Sequence, residues 1–250
     1  MKAPIRLQIE RRDNPQSAPY WQGFEIPWRP GHNLVSVLMV IRENPVTTDG
    51  QLVEPVVWEH NCMEEVCGAC SMLINGTPRQ ACSALVDELE QPIRLQPLSK
   101  FPVVRDLLVD RSRIFDSLKQ VKAWVPLDGP YDIHERAPRI SPQQWLNSYA
   151  YSRCMSCGCC LEACPQYGEQ SAFLGPAALV QVQHKNRHPT GRYSKTERLH
   201  VIMGDGGLSD CGNAQVCLSV CPKRIPITTA IGELGRDLSR QLLIDLLGKG

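Results

Sequence analysis

The sequence has no run of 18 or more apolar residues, so no segment is expected to cross a membrane as a helix. It has no excess of charge either: 27 basic residues meet 26 acidic ones, and no nucleic-acid partner is expected. The opening MKAPIRLQIERRDN lacks the apolar core of a secretory signal, and its acidic residues argue against a transit peptide. No strand–GxGxxG–helix fingerprint for a dinucleotide is present; GDGG at 204–207 reads as a helix-ending turn. No set of residues looks able to bind a dicarboxylate and abstract its proton, so no catalytic residue is assigned.

What the sequence does have is cysteine, twelve of them, in three groups. The first is Cys62, Cys67, Cys70 and Cys82; the second is Cys154, Cys157, Cys159, Cys160 and Cys164; the third is Cys211, Cys217 and Cys221. Without a secretory signal the compartment is expected to be reducing, and disulfides are not expected there. Metal or cluster ligation becomes the working reading.

The first hundred residues read as strands and turns around one helix. IRLQIER alternates apolar and polar residues, and FEIPW and QPIRLQPL are further strand segments. NLVSVLMVIREN has helical spacing, with Asn33 as N-cap and Pro45 beyond its end. SMLINGTPRQAC is a hairpin with Asn75-Gly76 as its turn. From about Phe101 the pattern turns helical. VVRDLLVDRSRIFDSLKQVKAW is a long amphipathic stretch expected to bridge two parts of the chain. SPQQWLNSYAYSRC follows, with Ser141 as N-cap and Pro142 at the first helical position. GPAALVQVQHKN, SKTERLHVIMG and the tail from Thr228 to Leu247 complete the helices. The domain boundary is expected near residue 110, giving domains 1–110 and 111–250.

The spacing of the first group, Cys62-x4-Cys67-x2-Cys70 with Cys82 beyond, is the plant-type [2Fe–2S] pattern. A four-thiolate zinc site is the alternative, but zinc sites favour paired cysteine knuckles, and here three cysteines share one loop. In the second group, Cys154-x2-Cys157-x2-Cys160-x3-Cys164-Pro165 matches the two-cluster ferredoxin run, and Cys159 falls out of register as a spare buried thiol. Each such run gives its first three cysteines to one cluster and its fourth to the other. Cys154, Cys157, Cys160 and Cys221 are therefore assigned to a [4Fe–4S] cluster. Cys164, Cys211 and Cys217 are left for the second, with Ala214 where a fourth thiolate belongs. Three thiolates and a methyl suit a [3Fe–4S] cluster; a [4Fe–4S] cluster whose fourth iron takes water or an outside ligand is the alternative, which an apolar methyl at that corner disfavours.

These motifs, with FPVVRDLLVDRSRIFDSLKQVKAW, FLGPAAL and RHPTGRYSKTERLHVIMGDGGLSDCGNAQVCLSVCPKRIPITTAI, resemble the iron–sulfur subunits of succinate dehydrogenase and fumarate reductase, most of all the menaquinone-type branch. The resemblance implies an α+β chain: a β-grasp, plant-type ferredoxin domain followed by an all-α, two-cluster ferredoxin domain. It implies a partner flavoprotein with FAD, a membrane-anchor cytochrome b subunit with haem b, and quinone at the interface. It also implies a peripheral position on the cytoplasmic face of a bacterial cell membrane. Ubiquinone-type relatives place a quinone-touching tryptophan a few residues beyond the CP of the middle run. Glu169 stands there in this chain, which leaves Pro165 and Ala214 as quinone-proximal residues. A quinol:fumarate reductase subunit and a soluble adapter for another oxidoreductase are the rival readings. The basic stretch HKNRHPTGRYSKTER is a solvated loop or a contact for anionic headgroups or an acidic partner.

Overall fold

The structure is a computed structural model and describes residues 3–125 and 140–248. Its strands are β1 (Ile5–Arg11), β2 (Tyr20–Ile26), β3 (Ser71–Ile74), β4 (Thr77–Gln80), β5 (Ile93–Gln96), β6 (Val103–Arg105) and β7 (Leu108–Val109). Its α-helices are α1 (Leu34–Glu43), α2 (Ser112–Gln120), α3 (Pro142–Ser152), α4 (Cys159–Glu162), α5 (Pro176–Arg187), α6 (Lys195–Met203), α7 (Val216–Ser219) and α8 (Ile227–Leu247). They pack as two units, one drawn from Met1–Arg111 with Met155–Ala163 and the other from Ser112–Cys154 with Cys164–Gly250.

The first unit is a five-stranded mixed sheet in the order β2-β1-β5-β3-β4, with β1 and β5 parallel. The alternation in IRLQIER sends Ile5, Leu7 and Ile9 inward, where they are buried against α1. That helix presents Leu34, Val37, Leu38 and Ile41 to the sheet. Its first turn is closed by a capping box: Ser36 N–H donates to Asn33 Oδ1 at 2.9 Å, and Asn33 N–H donates to Ser36 Oγ at 3.1 Å. Asn75 and Gly76 both take positive φ, 49° and 78°, as a two-residue turn matched to strand twist requires. The turn fixes the register Ser71↔Gln80, which places Cys70 and Cys82 at the open end of the β3–β4 hairpin.

The amphipathic stretch from Val103 to Trp124 is not one helix. Its first part is the β6–β7 hairpin, and α2 begins only at Ser112. The break is Asp106, left-handed at φ 47° and fully buried. Its Oδ1 accepts from Arg11 Nε at 2.8 Å and Arg12 N–H at 3.1 Å, and its Oδ2 accepts from Val57 N–H at 2.9 Å. Arg11 is 1% exposed and donates further to Gln22 Oε1 and to the Glu54 carbonyl. A buried carboxylate with three donors outweighs helical periodicity, because leaving it unpaired would cost several kcal/mol.

The second unit is helical. α5 is its central element, buried along Ala177, Ala178, Leu179, Val180 and Val182, with α3, α6 and α8 packed around it. The fully buried Arg198 of α6 is held by oxygens of neutral groups: the carbonyls of Lys122, Gly191 and Trp124 and the Asn186 side chain. Gly206, at φ +75°, lets the chain pass where a Cβ would stand 2.1 Å from the Ala172 carbonyl oxygen. At the end of α8, Leu243, Ile244, Leu246 and Leu247 are 60% or more exposed. Among the described residues no helix is long and apolar enough to cross a membrane.

Replacing Asp106 with Ala strands the Arg11 guanidinium in the core of the first unit. The expected loss is about 3–5 kcal/mol of stability, read as a fall in the urea midpoint of the full chain.

Candidate functional site

The loop from Cys62 to Cys70 is built to put donors around sulfur. Met63, Glu65 and Gly68 take left-handed φ values of 59°, 55° and 76°, which turns successive backbone N–H groups inward. Cys62 Sγ accepts from the N–H groups of Glu64, Val66 and Cys67 at 3.4, 3.3 and 3.3 Å. Cys67 Sγ accepts from Ala69 N–H at 3.4 Å, and Cys82 Sγ accepts from Glu65 N–H at 3.3 Å. Across the hairpin end, Ala81 N–H donates to the Cys70 carbonyl at 3.1 Å, and the Cys70 and Cys82 thiols interact. The four cysteines of the first group thus share one loop and one hairpin.

The environments of these sulfurs differ. The backbone N–H groups of Glu64, Val66 and Cys67 draw the Cys62 thiol down to about 7. Burial pushes the Cys70 thiol up to about 12; the backbone N–H of Cys82 works against the rise and the Cys82 thiol works with it. Four soft thiols lined by N–H donors fit an iron–sulfur group, whose iron takes the place of the thiol proton. No three or more His, Cys, Asp or Glu among the described residues are disposed to hold a single metal ion. In a [2Fe–2S] group four thiolates are divided between two irons, two to each, so three or more never meet at one ion.

Side chains that the spacing of cysteines does not reveal brace this loop. Arg111 Nη1 donates to the Gly68 carbonyl at 2.7 Å while the same guanidinium pairs with Glu59. Ser71 Oγ donates to the Gly68 carbonyl at 2.9 Å, and Ser83 Oγ donates to Glu65 Oε1 at 2.5 Å. Gln80, wholly buried, donates through Nε2 to Ser71 Oγ at 2.7 Å and to Cys159 Sγ at 3.6 Å. Cys159 itself is 0% exposed.

The segment Met155–Ala163 is fastened to the same unit by Glu162. Its carboxylate accepts from Ser99 N–H at 3.0 Å, Ser99 Oγ at 2.6 Å and Lys100 N–H at 3.1 Å. A Cβ on Gly68 would stand 2.9 Å from Cys157 Cα. Glu162, the single charged residue of the run CMSCGCCLEACP, is the sequence signal for this anchor. Cys157 and Cys160 accordingly lie in the first unit, and Cys154 and Cys221 in the second.

In the second unit, Cys164, Cys211, Cys217 and Ala214 line one cavity, together with Phe173 and Ile231. Left-handed Asn213 (φ 53°) and Gln215 (φ 60°) flank Ala214 and bend the loop around that space. Burial pushes the Cys217 thiol up to about 11, and the nearby Cys164 and Cys211 push it the same way. Three thiols therefore converge, and a methyl occupies the fourth place in the loop. Three soft donors beside an apolar corner fit a cluster with one iron fewer than a cubane. Ala214 and Pro165 are both exposed. Cys221 Sγ accepts from Ile225 N–H at 3.5 Å, and Cys154 follows the last turn of α3, donating its N–H to the Tyr151 carbonyl.

Residues 6–116 match the family described as the 2Fe-2S iron-sulfur cluster binding domain, and residues 150–225 match the 4Fe-4S dicluster domain. The chain is 55% identical to the succinate dehydrogenase iron-sulfur subunit of Bacillus subtilis, over 98% of this chain and 96% of that one. It is 33% identical to the fumarate reductase iron-sulfur subunit of Wolinella succinogenes, over 94% and 97%. A chain of the Mycobacterium smegmatis Sdh1 complex in the apo form has the same fold, with TM-score 0.77 at 22% identity, covering 96% of this chain and 98% of that chain. The chain belongs to the family of succinate dehydrogenase and fumarate reductase iron–sulfur subunits.

Proposed function

We propose that this chain is the electron-transfer subunit of a succinate:quinone oxidoreductase, receiving electrons from a flavoprotein partner with FAD and delivering them to quinone. The observation that carries the reading is the pair of unlike thiol sites: a four-cysteine, N–H-lined loop, and a three-cysteine cavity with Ala214 at its open corner. Iron–sulfur groups exchange single electrons at potentials set by their type, hydrogen bonds and burial. The residues are assigned as Cys62, Cys67, Cys70 and Cys82 for [2Fe–2S], Cys154, Cys157, Cys160 and Cys221 for [4Fe–4S], and Cys164, Cys211 and Cys217 for [3Fe–4S].

The chain's own contribution is to hold and tune. Backbone N–H groups aimed at Cys62 and Cys82 favour the more negatively charged state of what those thiolates hold. Ala214 withholds a fourth thiolate, and the exposure of Ala214 and Pro165 supports quinone access on that side. The exposed leucines ending α8 support docking to a partner, and we assign membrane attachment, on the cytoplasmic face, to an anchor subunit carrying haem b. The Bacillus relative favours succinate oxidation over fumarate reduction as the physiological direction.

Electron paramagnetic resonance of the intact complex tests the assignment. A three-iron signal is expected in the oxidised sample and a [2Fe–2S] signal on reduction; absence of the first overturns the reading of Ala214. In Ala214→Cys the three-iron signal should give way to a four-iron centre. Quinone reduction should then slow by roughly tenfold while succinate-dependent dye reduction at the flavin persists. Gly68→Ala places a side chain against Cys157 in a backbone conformation that costs about 1–2 kcal/mol for an L-residue. It should lower the [2Fe–2S] signal and, through Cys157, the [4Fe–4S] signal, leaving the three-iron signal at its parental level.

A further inference from the structure

A second kind of site lies in the helical unit, in a cavity whose wall contains no cysteine. It has a volume of about 670 Å³, within the range of small-molecule sites, and is enclosed by parts of α3, α5 and α8 and the stretch from Pro189 to Lys195. Five cationic side chains face it, Arg187, Arg192, Lys195, Arg236 and Arg240, against two carboxylates, Glu233 and Asp237. Both carboxylates are already engaged: Glu233 pairs with Arg187, and Asp237 Oδ2 lies 2.8 Å from Lys195 Nζ. Arg236 and Arg240 are exposed and form no ion pair among the described residues, and Arg192 lies over the Tyr193 ring. The chain as a whole carries a formal charge of only +1, so this wall concentrates cationic groups.

Two buried amides give the cavity its polarity. Gln183 is 4% exposed and Asn186 is 7% exposed, and both border it. Each is oriented by a charged neighbour at one end. Gln183 Nε2 donates to Glu233 Oε2 at 2.8 Å, which leaves Gln183 Oε1 buried without a partner. Asn186 Oδ1 accepts from Arg198 Nη1 at 3.2 Å, which leaves Asn186 Nδ2 buried without a partner. Flipping either amide would set donor against donor or acceptor against acceptor. The unmet atoms are therefore a donor and an acceptor, and buried polar atoms of this kind call for a partner.

The donor and the arginines ask for an oxyanion, and the acceptor asks for a hydroxyl on the same molecule. Monohydrogen phosphate and phosphate esters of polyols carry both, whereas sulfate at neutral pH carries no proton to give. We propose that this cavity binds a phosphate group that bears or adjoins a hydroxyl, either free in solution or as a phospholipid headgroup. The assignment is independent of the electron-transfer reading, since no cysteine lines this cavity.

The test uses the full chain loaded with iron and sulfide, at about 0.15 M salt so that diffuse surface attraction is screened. Inorganic phosphate, glycerol 1-phosphate and sulfate are titrated by calorimetry, and flotation is measured with phosphatidylglycerol and phosphatidylcholine vesicles. Phosphate or its ester should bind more tightly than sulfate, and R236Q/R240Q should weaken binding by at least about tenfold. Phosphate binding without flotation on phosphatidylglycerol supports a soluble ligand. Flotation on phosphatidylglycerol that glycerol 1-phosphate displaces and R236Q/R240Q abolishes supports a lipid headgroup. Absence of both, equal affinity for sulfate, or binding that survives R236Q/R240Q overturns the proposal. Arg192→Gln serves as the second variant, and cluster absorbance and circular dichroism must match the parent in each.

Discussion

A sulfur that carries negative charge out of water must be met by donors, and around Cys62 and Cys82 those donors are backbone N–H groups. Much of the first unit's local structure follows from that need. Peptide groups can converge on one sulfur only if the chain turns the wrong way for an L-residue, hence the left-handed Met63, Glu65 and Gly68. A loop so wound needs fastening, which Arg111, Ser71 and Ser83 supply from outside it. The hairpin does the rest by rigid register, since a two-residue turn at Asn75-Gly76 leaves little choice over where Cys70 and Cys82 stand.

The parts of this arrangement written in local sequence were legible before any coordinates. Asn75-Gly76 announces its turn, Asn33 and Ser141 announce their helix starts, and the intervals between cysteines announce their grouping. What was not legible depends on partners distant in the chain. Asp106 looks like one polar position on an amphipathic helix until Arg11 and Val57 arrive to claim it. Nothing local in the hairpin sequence marks Gln80, yet it is wholly buried and donates to Ser71 and Cys159. Asn186 and Gln183 belong to a helical run whose spacing says only that one side is buried. Periodicity reports burial, and it does not report which polar atom goes without a partner.

The two units solve the burial of charge in opposite ways. In the first, Arg11 meets a full carboxylate, so two charges cancel inside the core. In the second, Arg198 is surrounded by neutral oxygens, and burial lowers its pKa because those dipoles do not fully replace water. A guanidinium can tolerate this because its charge is delocalised and its five donors can each find an acceptor. Arg198 also spends Asn186 Oδ1 on itself, and that contact sets the direction of the remaining amide hydrogens.

The interleaving of the two units bears on how the protein is made. Residues 155–163 belong with the first unit, but more than forty residues of the second are synthesised before them. A nascent chain that has reached Arg111 therefore holds an unfinished sheet domain: Gly68 has no Cys157 beside it, and Ser99 and Lys100 have no Glu162 to receive their hydrogens. Unit-by-unit completion in the order of synthesis, the ordinary course for multidomain chains, leaves these contacts of the first unit unmade until residues 155–163 have emerged. Order of synthesis and order of completion are uncoupled: the contacts that close the first unit around Gly68, Ser99 and Lys100 wait until Ser112–Cys154 of the second has been translated.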